Sequence, residues 1–256
     1  MLDGFLLGKA ASNYERELLA VKDKIISAEF LWYPYGTLNN FIHLQDCFNK
    51  HPLDSLTSQR RIADIGGADG DLAFFLASLG YSVDIYDYGP TNYNGLRGAR
   101  ELVRELRFEN TVSISEVDID SQFTIPSDRY DLIFLLGILY HLKNPYFIME
   151  HLAKKARHLV ISTRVARFTP DGLNIYRSPV AYLLSPDESN NDATNYWIFT
   201  EAALVRLINR SGWEVMYSTT VGDQVTSNPA DADRDERIFM LLKSKFVRGF
   251  KFEVQL

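Results

Sequence analysis

Residues 61–70 read RIADIGGADG, and this stretch decides the fold. Ile62, Ala63 and Ile65 form a short apolar run, which is typical of a buried strand. Glycines then interrupt the run, and DLAFFLASLG, which follows directly as residues 71–80, has the apolar spacing of a helix that ends at Gly80. The stretch therefore predicts a strand, a glycine-rich turn and a helix in direct succession.

The same alternation continues outward from this stretch to residue 163. Short apolar runs that end in polar residues predict further strands, and longer amphipathic segments between them predict helices. Alternation of this kind predicts an α/β fold, a doubly wound parallel sheet with helices on both faces. The strand segments are SVDIYD (82–87), TVSISEVDI (111–119), DLIFLLG (131–137), HLVIST (158–163), WEVMYST (213–219) and RIFMLLK (237–243).

Two regions fall outside the alternation. Residues 1–58 predict a helical N-terminal extension or cap, with one helix over 12–30 and a second that ends near Asn49. Residues 164–199, within a main domain at 59–256, are rich in turn formers and tyrosine and too long for a plain connection. We expect this insertion to act as a lid or a substrate wall.

Composition restricts the class of protein. The net charge is −6 and the sequence pI is about 5.4, a balance that disfavours binding to nucleic acid through phosphate contacts. Cys47 is the single cysteine and has no partner for an internal disulfide, which fits a reducing compartment. No apolar run approaches the roughly 18 residues of a membrane span, so we expect a cytoplasmic protein with no membrane contact. The histidines lack metal-ligand spacing, and no metal is predicted.

The glycine-rich turn indicates the kind of ligand. In the register that starts at Gly66, the third and sixth positions of a dinucleotide-binding G-x-G-x-x-G are Ala68 and Asp71, so that fingerprint fails. A phosphate-binding P-loop would need a lysine, which the turn lacks. The extra carboxylates of Asp69 and Asp71 would repel a pyrophosphate and attract a sulfonium cation. The turn therefore favours S-adenosylmethionine (SAM) over a dinucleotide.

Two further acids follow neighbouring strands. Asp87 ends the second strand, 21 positions after Gly66, where a carboxylate accepts hydrogen bonds from ribose hydroxyls in doubly wound sheets. Asp84 is its competitor, but strand alternation places it in the opposite phase. Asp118 suits an exocyclic adenine amine with Ile119 packed on the ring, although a plain turn residue remains an alternative.

The residues expected near a substrate each have a structural alternative. Tyr140 and His141 follow the fourth strand at the carboxyl edge, where ligands of open α/β sheets bind, and His141 is a candidate general base. The alternatives are that Tyr140 belongs to the core and that His141 packs under the next helix. The remaining candidates form an N-terminal aromatic flap or seal and a group near the insertion: Trp32, Tyr33, Tyr35, Arg164, Tyr176 and Arg237.

The sequence resembles class I SAM-dependent methyltransferases in a series of motifs. The motifs here are IADIGGADG, the strand-end Asp87, VDI at 117–119 and DLIFLLGILYHLKNP. The resemblance spans about 61–243 and implies a Rossmann-like, seven-stranded sheet whose last strand is antiparallel. The family pattern D-x-G-x-G-x-G departs here at Ala68, a substitution expected to tighten the turn. The resemblance implies cofactor contacts from Asp64, Gly66, Gly67, Ala68, Gly70, Asp87, Tyr88, Asp118, Ile119 and Gly137.

A narrower resemblance concerns GILYHLKNP, which is similar to a stretch of tRNA wobble-uridine carboxymethyltransferases. Those enzymes use a carboxylated SAM that basic residues hold. Leu142 and Lys143 stand where the family has two arginines, so the resemblance implies ordinary SAM here, with Tyr140 facing the transferred group. It also places Arg237 near the substrate side.

These observations predict a methyltransferase that acts on an oxygen or nitrogen atom of a small molecule. Methyl transfer depends on alignment and exclusion of water more than on a fixed catalytic group, which is why the sequence says little about the acceptor. The alternatives are a tRNA-modifying transferase and a non-catalytic SAM-binding or scaffold protein.

Overall fold

The central sheet follows the predicted alternation. A computed structural model describes residues 3–25, 29–121, 124–125 and 130–246. Across these residues nine strands join one sheet, which runs β3-β2-β1-β4-β5 and then branches. The strands are β1 (Arg61–Ile65), β2 (Ser82–Asp87), β3 (Val112–Glu116), β4 (Tyr130–Leu136), β5 (Ala156–Val165), β6 (Ala181–Leu183), β7 (Trp197–Phe199), β8 (Trp213–Gly222) and β9 (Glu236–Ser244).

The predicted seven-stranded architecture is confirmed. Strands β1 to β5 are parallel to one another, and β9 lies antiparallel between β5 and β8. The remaining two strands come from the insertion. β6 and β7 form an antiparallel pair, and β7 joins the sheet through Val165 and Phe199, beyond the carboxyl end of β4. The insertion thus adds a small hairpin over the edge where ligands of such sheets bind.

Helices cover both faces of the sheet. They are α1 (Gly4–Lys22), α2 (Gln45–Lys50), α3 (Leu53–Leu56), α4 (Asp71–Ser78), α5 (Arg97–Glu105), α6 (Pro145–Lys155) and α7 (Glu201–Arg210), with 3-10 turns at Leu38–Ile42, Leu139–His141 and Ala232–Arg234. The Thr200 hydroxyl caps α7, because it accepts a hydrogen bond from the Ala203 N–H at 3.1 Å.

The N-terminal helix was predicted in the wrong place. It begins at Gly4 because Asp3 caps it by accepting the Leu6 N–H at 2.8 Å, and it ends at Lys22 instead of running over 12–30. The second predicted helix is divided into the 3-10 turn at 38–42 and α2. Thr37 precedes the 3-10 turn, and its side chain forms no capping hydrogen bond.

Burial explains why the N-terminal extension stays on the sheet. Leu7, Ala11 and Leu18 on one side of α1 are buried in the same cluster as Phe41 and Phe75. The ring centroids of Phe41 and Phe75 lie 5.3 Å apart in an edge-to-face arrangement that favours aromatic packing. A second cluster fills the other face of the sheet beneath α6 and α7.

Within the described residues, no helix combines the length and the apolar character that crossing a bilayer requires.

Candidate functional site

The glycine-rich loop, residues 66–70, connects β1 to α4 in a left-handed turn. Gly66, Ala68 and Gly70 have φ values of +72°, +51° and +85°. The Gly70 N–H closes the turn on the Gly67 carbonyl at 2.7 Å. A Cβ on Gly67 would lie 2.9 Å from Asp64 Oδ2, closer than such contacts permit. The loop therefore holds its backbone close to the carboxyl edge of the sheet with no room for a side chain at position 67.

Ala68 occupies the left-handed conformation that glycine normally provides. The expectation that alanine only tightens the turn is incomplete, because this conformation needs external support. Asp87 Oδ2 accepts the Ala68 N–H at 3.0 Å and an amide hydrogen of Asn92 at 2.9 Å, and the Asn92 amide also reaches the Ala68 carbonyl at 3.3 Å. The other oxygen, Oδ1, accepts the Tyr88 N–H at 2.7 Å. Asp87 thus stabilises the loop through both oxygens of its carboxylate.

Asp64 lies fully buried beneath this loop. Its Oδ2 atom has no hydrogen-bond partner among the described residues. Burial, followed by the negative charges of Asp87 and Asp71, raises the pKa of Asp64 to about 7. The site therefore holds a carboxyl group that gains or loses its proton near neutrality, in a position where a cation would favour the ionised form.

We expect Asp64→Asn to stabilise the ligand-free protein in a manner that depends on pH. The folded-state pKa lies above the unfolded value, so ionisation of Asp64 lowers stability as the pH rises from about 4 to about 7. The variant should match wild type near pH 4 and exceed its free energy of unfolding by about 2–4 kcal/mol at pH 8. Urea denaturation across pH 4–8 measures this. A constant difference over the whole range would contradict the assignment.

The prediction that the carboxylates of Asp69 and Asp71 attract a sulfonium cation requires correction. These two carboxylates do not face a ligand as free charges. Lys22 of α1 contacts Asp71 Oδ2 at 2.9 Å and Asp69 Oδ2 at 3.4 Å, and its side chain is only 5 % exposed. Asp69 also accepts the Tyr33 N–H at 2.7 Å and an amide hydrogen of Asn94 at 2.7 Å. The carboxylates left near the loop for a cation are therefore Asp64 and Asp87.

The turn after β3 lies next to Asp87. The Val117 N–H donates to the Asp87 carbonyl at 2.8 Å, which places Asp118 and Ile119 beside the end of β2. Asp118 Oδ1 accepts the Asp120 N–H at 3.0 Å, so this residue does shape a turn, and Ile119 is 8 % exposed. The arrangement is compatible with the predicted adenine contact.

Asp84, the competitor of Asp87, has a different set of partners. Its carboxylate accepts hydrogen bonds from the Tyr130 and Ser113 hydroxyls and pairs with Arg61 at 3.5 Å. These contacts lie outside the glycine-rich loop.

The carboxyl end of β4 forms the opposite wall. Gly137 has a φ of +72°, and a Cβ there would lie 3.5 Å from both Tyr140 Oη and Arg237 Nη1. The Arg237 guanidinium lies 5.6 Å from the centre of the Tyr140 ring. These three residues, predicted separately, come together at one place. Ile138 covers Gly66 in the adjacent loop, where a Cβ would be 2.4 Å from Ile138 Cδ1.

His141 is held by the insertion. Its Nδ1 lies 3.1 Å from both the carbonyl and the hydroxyl of Thr194. Burial lowers the pKa of His141, and the contacts with Thr194 and Asp192 offset only part of this effect. The ring is therefore neutral at pH 7, the state that a general base requires.

The three aromatic residues predicted to form an N-terminal flap have different surroundings. The Tyr33 backbone is fixed to Asp69, and its ring contacts those of Tyr35 and Tyr93 at 5.4 and 6.0 Å. Tyr35 is 70 % exposed. Trp32 packs on the core with the Lys22 amine 5.4 Å from its ring centre. Within the described residues, Trp32 thus belongs to the seal between α1 and the sheet, and Tyr33 extends toward the site.

Two predicted substrate residues have structural partners. Arg164 is buried, pairs with Asp235, and contacts the Ser189 hydroxyl and the Asp231 carbonyl. Tyr176 lies under the Arg167 guanidinium, which is 4.3 Å from the centre of the tyrosine ring.

Sequence reasoning missed several residues at the site. Lys22 and Asn94 carry no local signal, since their partners lie 47 and 25 positions away in the chain. His43 packs against Phe239 with ring centres 5.2 Å apart, and burial and then Arg237 lower its pKa.

Comparison with known proteins agrees with this geometry. A family model described as a methyltransferase domain matches residues 41–218, more than half of the chain. No curated protein sequence matches significantly. All the solved structures reported below are under 20 % identical and show the similarity of the fold.

Three of these structures cover most of the chain. The N-terminal domain of EvdMO1 with S-adenosylhomocysteine (SAH) bound is 16 % identical, with a TM-score of 0.56 over 90 % of this chain and 96 % of that one. The [4+2]-cyclase SpnF is 14 % identical, with a TM-score of 0.58 over 95 % and 97 %. A putative methyltransferase from Bacillus halodurans C-125 is 15 % identical, with a TM-score of 0.52 over 73 % and 93 %. Since the family model spans the loop, the strand ends and the insertion, this chain belongs to the family of class I, SAM-dependent methyltransferase domains.

Proposed function

We propose that the protein transfers a methyl group from SAM to an oxygen or nitrogen atom of a small molecule. The observation that carries this proposal is the juxtaposition of the glycine-rich loop and Asp87 on one side with Gly137, Tyr140 and Arg237 on the other. A cofactor in the loop would present its methyl group toward the second group of residues.

The residues of the loop fit SAM. Asp64 provides a buried oxygen that has no hydrogen-bond partner among the described residues, and Gly67 lets the backbone of the loop lie directly over it. Asp87 would hold the ribose, Asp118 and Ile119 the adenine, and Gly66 to Gly70 the amino-acid end. When bound, SAM supplies a methyl carbon to which the acceptor's lone pair bonds as the carbon–sulfur bond breaks and its electrons return to sulfur.

The chain's own residues orient the acceptor and manage its proton. Tyr140 forms a wall at Gly137, and the neutral His141 is in the state needed to accept a proton from a hydroxyl or amine. The insertion holds His141 through Thr194, and it holds the segment at Tyr140 through a hydrogen bond from the Tyr196 N–H to the Tyr140 carbonyl at 2.8 Å. Contacts of this kind keep a reacting pair aligned, which can contribute several kcal/mol to the rate.

The choice of a small molecule rests on charge and on a relative. The net charge of −6 is unfavourable for tRNA. The EvdMO1 domain has been crystallised in the presence of SAH and D-fucose, a small sugar. A salt-dependent shift on mixing with bulk tRNA would instead favour an RNA substrate.

Asp87→Asn should weaken SAM binding by at least about tenfold. The substitution replaces an acceptor oxygen with a donor amide, which disturbs both the predicted ribose contact and the support of Ala68. Isothermal titration calorimetry with SAM, SAH and NAD⁺ measures the effect. Asp84→Asn, a neighbour on the same strand with partners outside the loop, is the matched control. Equal affinity in the folded Asp87 variant would exclude this role, and SAM binding without turnover on any acceptor would favour a scaffold.

A further inference from the structure

Arg237 on β9 carries a charge that its surroundings leave largely uncompensated. Arg164 on β5 and Arg237 are direct partners in the antiparallel β5–β9 register, so both side chains lie on one face of the sheet. One carboxylate, Asp235, lies between them. It contacts Arg164 directly and is 3.9 Å from Arg237 Nη2, at the limit of an ion pair.

The two arginines therefore differ in their role. Arg164 is 6 % exposed and is saturated by Asp235, Ser189 and the Asp231 carbonyl. The Arg237 side chain is 26 % exposed, and its Nη1 lies 3.5 Å from the place that a Cβ on Gly137 would take. Because the Asp235 carboxylate is already engaged by Arg164, a net positive charge remains at Arg237. A partly buried guanidinium in this state is a binding site for an oxyanion.

Apart from Asp235, the groups that contact Arg237 are aromatic and uncharged. Tyr140 lies 5.6 Å from the guanidinium, and His43 packs on Phe239, two residues along the same face of β9. Burial and then the repulsion from Arg237 lower the pKa of His43, so this ring adds no charge at pH 7. Burial, Tyr140 and Tyr35 raise the pKa of Tyr33, so its hydroxyl stays neutral too. The walls suit a flat ring, and the arginine suits a negative group on that ring.

We propose that Arg237 binds a carboxylate or phosphate group of the methyl acceptor and thereby places the acceptor atom at Gly137 beside Tyr140. The substrate class is a small ring-bearing acid. This inference rests on the proposed methyltransferase function, which it extends by naming the substrate. Arg237 is a specificity-determining residue in this arrangement.

The test uses simple probes on the whole protein. Benzoate, phenyl phosphate and the neutral benzamide are titrated calorimetrically with and without saturating SAH. Wild type should bind one of the two anions at least about tenfold more tightly than benzamide. Arg237→Gln should lose this preference, Arg237→Lys should keep part of it, and both should retain SAH affinity within about twofold. Arg177→Gln, an exposed arginine of the insertion, should behave as wild type.

Several outcomes would overturn the inference. Equal binding of anions and benzamide by wild type, or a preference that persists in Arg237→Gln, excludes an oxyanion site at Arg237. A carboxylated SAM that binds wild type more tightly than SAM, and excludes benzoate in an Arg237-dependent manner, would assign the oxyanion to the cofactor. Thermal unfolding of each variant checks folding. Failure of SAH to bind would contradict the methyltransferase proposal alone, since the titrations without SAH still decide the role of Arg237.

Discussion

Lys22→Met lowers the free energy of unfolding by about 3–5 kcal/mol, the range measured when one partner of a buried ion pair is removed. Lys22 is the cation that faces both Asp69 and Asp71, and all three residues are buried. Burial already raises the pKa of Asp71, and Lys22 offsets only part of that increase. Removing the amine leaves two carboxylates in a region of low polarity with no charge to balance them. Urea denaturation at pH 7 measures the loss.

The matched control for this substitution is Lys24→Met, because Lys24 is exposed two residues away and should change stability by less than about 0.5 kcal/mol. Adding Asp71→Asn to Lys22→Met should restore part of the loss, since it removes one of the two unbalanced charges. A Lys22 variant as stable as wild type would show that the acids are solvated or protonated in the folded protein. Calorimetric titration of the Lys22 variant with SAM should also show weaker binding, because Asp69 fixes Tyr33 and Asn94 beside the loop.

Arg167→Met should be almost as damaging, with an expected loss of about 3 kcal/mol. The Arg167 guanidinium forms two parallel hydrogen bonds with Glu236, at 2.7 and 2.6 Å, and Glu236 is 1 % exposed. The Ser227 hydroxyl donates to the same carboxylate at 2.7 Å. In the Arg167 variant, this hydroxyl would be one remaining donor to a buried negative charge. Thermal or urea unfolding measures the loss, and Arg177→Met in the exposed part of the insertion is the control.

A double variant that also removes the negative charge of Glu236 shows why Arg167→Met loses stability. Glu236→Gln combined with Arg167→Met should recover stability relative to the single Arg167 variant, because no buried charge then remains. Recovery would support the ion-pair explanation. If the double variant is no more stable than the single one, the lost packing of Arg167 on Tyr176 accounts for the effect instead.

The sequence predicts the sheet and the loop well because their signals are local. Strand-end Asp87 and the glycines at 66, 67 and 70 follow from spacing within about 25 residues, and the antiparallel last strand follows from the family resemblance. Gly137, Tyr140 and Arg237 were each predicted, but their meeting at one place depends on the β5–β9 register. No sequence pattern determines that register across more than 70 residues.

The errors have a common cause in long-range contacts. The charges of Asp69 and Asp71 suggested attraction for a cationic ligand, whereas a lysine from a helix about 50 residues earlier binds them. Arg164, a predicted substrate contact, forms an ion pair with Asp235, which no local pattern indicates. The start of α1 was missed because its stability comes from burial against Phe41 and Phe75, with Asp3 as a single local cap.

The place of β9 between β5 and β8 has a consequence for synthesis on the ribosome. Among the described strands β9 comes last in sequence, yet it occupies an interior position in the sheet. While residues 236–244 are still being translated, the backbone donors and acceptors along His158 to Val165 have no neighbour on that side. An unpaired apolar edge is the feature that invites intermolecular pairing of nascent chains. The described sheet therefore gains its pairing along this side of β5 only after residues 236–244 have been made.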